Sequence, residues 1–477
     1  MRRFVLNTGA ISAVNVLRLF AQFFAVPILS RLLSPADYGL IGLASPFMFF
    51  AMMLADAGVG TSLVRHSADD HKAWSTCFWI SSGMGFCAGI AMAGLAFVAA
   101  IFLNEPRLGP IVMALALVVC AQGMTSIPSA ALQLSQRFQL IAGTEVAATL
   151  TGIGTAVVMA LHGAGAWALV GQQLAFFAAR LILVFSFSSF YPRWVFSWPH
   201  AKEHVLFGRD VLGVNFLGFF SRQMDNLVIG KALGSTPVGL YSMAFQFVRL
   251  PSMIITGPLQ YVMYAHLSKI KDRTDAIRET FLLLTRSVAL LIFPIMGMVA
   301  AAYKPVFDLM LSAKWEASAE LFMLVAPAGA LQAVTALGGT TMWVVGRSDI
   351  AMRTTFEFGV LWMTALLASV WFGIWWIAIA YDVVVMLYIP RAMHLMLPQI
   401  ECSPRQYAQS LVSPLAITAV AILLFELVVR TAALSEWHEL FIAGLIGVSA
   451  VGASGLLQRR QLMNGLQALN VAATAAS

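Results

Sequence analysis

Apolar runs of 18 residues or more recur from the first tens of residues to beyond position 450, and they decide most of what this chain can fold into. Each run is long enough to cross the hydrocarbon core of a bilayer as a helix. Inside lipid every backbone amide must be satisfied within the element itself, so runs of this length point to helices. Composition agrees. The 477 residues are 60% hydrophobic and 11% charged, against about 25% charged in ordinary soluble domains. The expected fold class is an all-α polytopic membrane protein. The net charge of +7 is read as a sign of membrane orientation, and no nucleic-acid partner is expected.

The pattern predicts about 14 spans, at about 5–33, 38–64, 74–103, 109–134, 140–161, 165–190, 205–233, 237–267, 277–302, 319–345, 351–371, 374–397, 408–430 and 438–457. The opening stretch MRRFVLNTGAISAVNVLRLF has a basic start. Its apolar part is interrupted by Asn7, Ser12, Asn15 and Arg18, and no small-residue cleavage site follows, so it is read as the first span rather than a cleaved signal. With the N-terminus cytoplasmic, 18 of the 29 Lys and Arg fall on the cytoplasmic side, 6 on the opposite side and 5 within spans. Cytoplasmic loops collect positive charge, so this bias predicts both termini inside. No loop exceeds about 20 residues, and no extramembrane domain is expected.

Two stretches match at an offset of 200: RLLSPADYGLIGLA from Arg31 and KALGSTPVGLYSMA from Lys231. Arg31 pairs with Lys231, Leu33 with Leu233, Gly39 with Gly239, Leu40 with Leu240 and Ala44 with Ala244. The same offset pairs Val14 and Asn15 with Val214 and Asn215. Six spans separate the copies, so both enter the membrane from the same side. That is a parallel repeat, whose local two-fold axis runs along the membrane normal. The expected division is an N-lobe at 1–195, a linker at 196–204, a C-lobe at 205–400, and two further helices with a tail at 401–477.

Three stretches carry a family resemblance. LSPADYGLIGLASPFMFFAMMLADAGVGTSLVR (33–65), RQMDNLVIGKALGSTPVGLYSMAFQFVRLP (222–251) and YKPVFDLMLSAKW (303–315) resemble the corresponding regions of Wzx-type polysaccharide flippases. Those belong to the multidrug/oligosaccharidyl-lipid/polysaccharide exporter superfamily, and the likeness is to its colanic-acid-exporter branch. The resemblance implies two pseudo-symmetric six-helix lobes in a V, with two extra C-terminal helices (a MATE-like fold) that form a groove for a lipid tail. It implies a flippase moving an undecaprenyl-pyrophosphate-linked oligosaccharide across the bacterial inner membrane for exopolysaccharide, capsule or O-antigen synthesis. It makes membrane lipids, a polysaccharide polymerase and a co-polymerase candidate partners.

Ionisable residues within spans face a bundle interior or a watery cavity and are functional by default. A diphosphate cargo calls for cavity cations, and Arg suits because its planar fork donates bidentately to phosphate oxygens. Arg18, Arg222 and Arg249 are the expected substrate-binding cations. Asp225, three residues from Arg222, shares its helical face and is expected to pair with it. Asp56, Glu145, Glu357 and Asp382 are the remaining ion-pair or coupling candidates, with H+ or Na+ as the coupled ion. Glu357 follows Arg353 by four residues, so a local pair is expected there. Asp56, beside glycines in LADAGVG, is placed to cap a broken helix. Arg180 and Arg286 lie nearer helix ends and are expected to snorkel to headgroups.

No catalytic constellation is expected. There is no Walker A motif, none of the four cysteines has metal-ligand spacing, and His200 and His204 of HAKEH lack a third ligand. No cofactor and no metal are predicted. Gly85 and Gly89, in G-x-x-x-G spacing, predict close helix packing, and Pro251 with Pro258 predicts a bend in the eighth span. The alternatives are a multidrug-type antiporter, a peptidoglycan-precursor flippase and a membrane-embedded polysaccharide polymerase. Surplus intramembrane Arg disfavours a cationic cargo, and the lack of a large outward loop disfavours a polymerase.

Overall fold

The computed structural model describes residues 18, 21–56, 58–66, 70–431 and 435–457. Of these, the side chains of 61, 65, 66, 209–211, 213–222 and 457 are outside the description. Among the described residues the ordered elements are all helical. Twelve helices are long and apolar enough to cross a membrane. The two remaining expected spans are α1, described over Ala21–Leu32, and α8, Trp198–Leu233. The latter is long enough but carries Lys202, Glu203, Arg209, Asp210, Arg222, Asp225 and Lys231. The figure of 14 spans is therefore approximate.

The chain divides into two compact units, Met1–Ser242 and Met243–Ser477. The first holds α1, α2 (Pro35–Asp56), α3 (Val59–His66), α4 (His71–Phe102), α5 (Leu108–Leu134), α6 (Phe138–Leu161), α7 (Ala166–Phe187), α8 and the start of α9 (Ser235–Pro251). The second span, expected as one helix, is broken at Asp56, and Gly58 takes a positive φ of 67° at the break. α4 starts where Asp70 accepts from the Lys72 and Ala73 amides at 3.0 and 3.1 Å, satisfying donors that a helix start leaves orphaned. α4 and α5 approach closely, as the glycine spacing predicts: a Cβ on Gly85 would lie 3.0 Å from the Gly123 Cα, and one on Gly89 2.8 Å from the Cys120 sulfur. α8 begins at Trp198, inside the stretch expected as a linker, with Ser197 before it and Pro199 in its first turn, a placement proline tolerates.

The repeat has a physical counterpart in this unit. A Cβ on Gly39 would collide with the Ser235 carbonyl group, 2.6 Å from its carbon; a Cβ on Gly239 would collide with that of Pro35, 2.8 Å from its carbon. Residues 35 and 235 are themselves an offset-200 pair, so the two contacts exchange under a local two-fold. α2 and α9 cross here backbone to backbone, and only glycine fits at either copy. Asn226 adds an amide donor to the Gly42 carbonyl at 3.3 Å.

The second unit continues from α9 through a π-turn at Ser252–Thr256 into α10 (Gly257–Leu267). The irregularity lies between Pro251 and Pro258, where the bend is expected. Thr256 and Gln260 donate across it to the Ala333 and Ala336 carbonyls at 3.0 and 2.9 Å. α11 (Thr274–Ala301), α12 (Tyr303–Met310), α13 (Glu316–Val344), α14 (Ser348–Ser369), α15 (Ile374–Met396), α16 (Pro404–Thr431) and α17 (Glu436–Leu457) follow. The 303–315 stretch, expected as a loop, folds into α12 and a turn that buries Trp315 completely. The two C-terminal helices bury Ala421, Phe425, Ala443 and Ala450 against Met298 of α11.

Candidate functional site

The first unit gathers intramembrane charge around one carboxylate. Glu145, on α6, reaches Arg18 with one oxygen and Arg180 of α7 with the other. Arg18 Nη1 lies 3.2 Å from Oε2 and Arg180 Nε 2.7 Å from Oε1. The three side chains keep only 34%, 19% and 21% of their surface for Arg18, Glu145 and Arg180. Arg180 also donates from Nη1 to the side-chain carbonyl of Gln122 on α5 at 2.9 Å. One turn further along α5, on the same face, the Ser126 hydroxyl donates to Asp56 at 2.8 Å. Arg18, Glu145, Arg180 and Gln122 thus join four helices, α1, α5, α6 and α7, in one cluster; the Asp56–Ser126 pair is a separate contact.

Two guanidinium groups on one carboxylate leave a formal charge of +1. Donors also outnumber acceptors. Among the described residues the buried Arg18 Nε has no hydrogen-bond partner, and the Arg180 Nε, although close to Glu145, is not aligned for a hydrogen bond. Buried polar groups are normally satisfied, so the cluster is short of acceptor oxygens.

The other expected residues are placed separately. Asp225 is buried and accepts from the Tyr241 hydroxyl at 3.0 Å. The Arg222 side chain lies outside the described residues, and its pairing with Asp225 is not described. Arg249, in the second unit, is exposed at the end of α9 with its guanidinium 6.0 Å from the Phe245 ring centroid. Glu357 takes Arg353 at 2.7 Å, the local pair its spacing predicts, together with Arg391 at 3.7 Å and the Tyr388 hydroxyl at 3.3 Å. Asp382, on α15, keeps Oδ1 buried with no hydrogen-bond partner among the described residues. Its carboxylate takes a backbone hydrogen bond from Ala328, just past Pro327 inside α13. Asp56 ends α2 and reaches across to Ser126 of α5. Arg180, expected to snorkel, is held by Glu145 and Gln122. His200 and His204 bond to Ser197 and Ser62 at 2.7 and 2.8 Å; among the described residues no cluster suits a metal. Sequence reading missed Gln122 and Ser126, whose signal is two polar residues one turn apart in an apolar run.

A family model described as "Polysaccharide biosynthesis protein" matches residues 28–320. The chain belongs to this family. Among curated relatives, the lipopolysaccharide biosynthesis protein WzxC of Escherichia coli is 24% identical over 331 residues, which is 68% of this chain and 67% of WzxC. The teichuronic acid biosynthesis protein TuaB of Bacillus subtilis is 23% identical, covering 84% of each chain. The succinoglycan biosynthesis transport protein ExoT of Rhizobium meliloti is 24% identical over 62% of this chain, a match spanning 60% of ExoT. The fold is that of the lipid II flippase MurJ in an inward closed conformation, at TM-score 0.76 and 12% identity over 96% of this chain and all of that one. An inward-facing MATE transporter of the MOP superfamily gives TM-score 0.60 at 14% identity, over 81% and 96% of the two chains. The family match bears out the resemblance of the 33–65 and 222–251 stretches to polysaccharide-biosynthesis proteins, and ExoT, MurJ and the MATE neighbour are named as a transport protein, a flippase and a transporter. This family member is a multi-pass membrane protein.

Proposed function

We propose that this protein flips a polyprenyl-diphosphate-linked oligosaccharide from the cytoplasmic to the outer leaflet of a bacterial inner membrane, for polysaccharide synthesis. The observation that carries the reading is the Arg18–Glu145–Arg180 cluster, a net positive charge inside a membrane bundle. A cation there is costly to keep and has use for an anionic headgroup. Depth supports it. Glu145 is seven residues into α6 and Arg180 seven residues from the end of α7; at 1.5 Å per residue both lie about 10 Å from those helix ends. With the N-terminus cytoplasmic, both ends face the cytoplasm, so the cluster sits where a headgroup arriving from that leaflet first needs neutralising. Family membership and the relatives' roles in polysaccharide biosynthesis and transport support the cargo class. Arg222 and Arg249 are later cationic stations in this proposal, H+ or Na+ acts through Asp56, Glu145 or Asp382, and polymerase and co-polymerase proteins receive the product.

The test replaces Arg18 and Arg222 together by Ala in a strain whose own gene is deleted. Polymer export is expected to stop at normal protein level, with lipid-linked intermediates building up in the cytoplasmic leaflet. Full export from the double variant would refute the reading.

A further inference from the structure

The cluster contains its own anion. We propose that Glu145 is a stand-in for the diphosphate: it holds Arg18 and Arg180 together while the site is empty, and an incoming diphosphate displaces it. This deepens the function proposed above and rests on it. The geometry is that of a bridged anion. Each carboxylate oxygen of Glu145 takes one arginine, from two different helices, 3.2 Å on one side and 2.7 Å on the other. Phosphate groups accept from arginine too, and have more oxygens to offer.

The acceptor shortage says that Glu145 fills the site incompletely. Among the described residues the Arg18 Nε has no acceptor, and the Arg180 Nε makes a close but unaligned contact. A diphosphate brings enough oxygens to satisfy both, whereas a carboxylate has two, each already engaged. Gln122, bonded to Arg180 Nη1 at 2.9 Å, orients that guanidinium whichever anion is present. Displacement gives the site a release step. When the headgroup leaves, Glu145 reclaims both arginines, so the site need not pass through a state with two unneutralised cations in low dielectric. Binding is weaker for this competition, which suits a transporter that must let go of its cargo.

The experiment measures equilibrium binding of inorganic pyrophosphate to the purified full-length protein in lipid nanodiscs. Glu145→Gln removes the competing charge and keeps the shape. It is expected to tighten pyrophosphate binding about tenfold, the step corresponding to about 1.4 kcal/mol. Arg18→Gln and Arg180→Gln are expected to weaken it by at least as much. Equal or weaker binding by Glu145→Gln overturns the stand-in role. If the two arginine variants lose binding in that same experiment, the diphosphate reading of the cations survives. If neither arginine variant changes binding, that reading falls as well. Should Glu145→Gln not purify as a folded protein, Glu145→Asp carries the test. Its carboxylate is one methylene shorter and its grip on both arginines looser, so binding about threefold tighter is expected, and unchanged or weaker binding overturns the proposal.

Discussion

Replacing Gly39 by Ala tests the crossing of α2 and α9 most directly. The added methyl group would lie 2.6 Å from the Ser235 carbonyl carbon and closer still to its oxygen. Ordinary contact begins at 3.4 Å, and the oxygen is the nearest atom, so the helices must part by about 1.5 Å. The obstructing atoms are backbone, which has no rotamer to change. Overpacking of this kind costs about 1–3 kcal/mol, and an immovable neighbour argues for the upper end. Gly83, on α4, is the control, because nothing lies within 4 Å of its added Cβ. Gly83→Ala gains helix propensity of up to about 1 kcal/mol, so the two alanines are expected to act with opposite sign. At about 2–4 °C per kcal/mol for a unit of this size, Gly39→Ala should unfold roughly 8–16 °C below Gly83→Ala. The assay heats detergent-solubilised protein with a thiol-reactive dye, whose reporter in this unit is the buried Cys77. Gly239→Ala should match Gly39→Ala, and the double variant should cost less than the two together, since one parting relieves both clashes. Gly39→Ala unfolding at or above the Gly83→Ala temperature would refute the crossing.

Trp315 is fully buried in the second unit, and Trp315→Ala should cost about 3–5 kcal/mol; a loss under about 1 kcal/mol in denaturant titration would contradict its place in the core. Glu357→Gln should change stability by less than about 1 kcal/mol, because Arg353 and Arg391 remain 58% and 46% exposed. A larger loss on thermal unfolding would mean that the pair is shielded from solvent.

The sequence makes the scaffold legible and hides the charge cluster, for separate physical reasons. Span length and lipid exposure act on every residue of a helix, so the apolar runs announce themselves. Gly39 and Gly239 are visible because a backbone-to-backbone crossing under a local two-fold demands the same residue at both copies. The Arg353–Glu357 pair is visible because i,i+4 spacing puts both on one face. No such rule joins Arg18 to Glu145, 127 positions apart, or Glu145 to Arg180. Those contacts exist only once α1, α6 and α7 have packed. Arg180 was misread for that reason: position near a helix end suggests a headgroup, and only a neighbouring helix reveals a carboxylate. The 303–315 stretch misleads differently. Its polar residues read as a loop, but Trp315 and Phe307 are the anchors that fold it inward.

The duplicated frame and the charges on it follow different rules. At the offset that pairs Gly39 with Gly239, Arg18 falls opposite Gly218, Arg222 opposite Gln22 and Asp225 opposite Ala25. The helix positions that must fit a crossing are kept in both copies, whereas Arg18, Arg222 and Asp225 each carry charge in one copy alone. Packing at the crossing is symmetric, so a substitution there in one copy requires its match in the other. A cargo with a diphosphate at one end and sugars at the other presents no such symmetry, and a site serving it gains nothing from repeating its cations. On this reasoning, moving the Arg18 charge to its repeat position, by Arg18→Gly with Gly218→Arg, should not restore export. The pair would move the guanidinium from α1 to α8, and recovery of polymer export in that variant would show that the location of the charge does not matter.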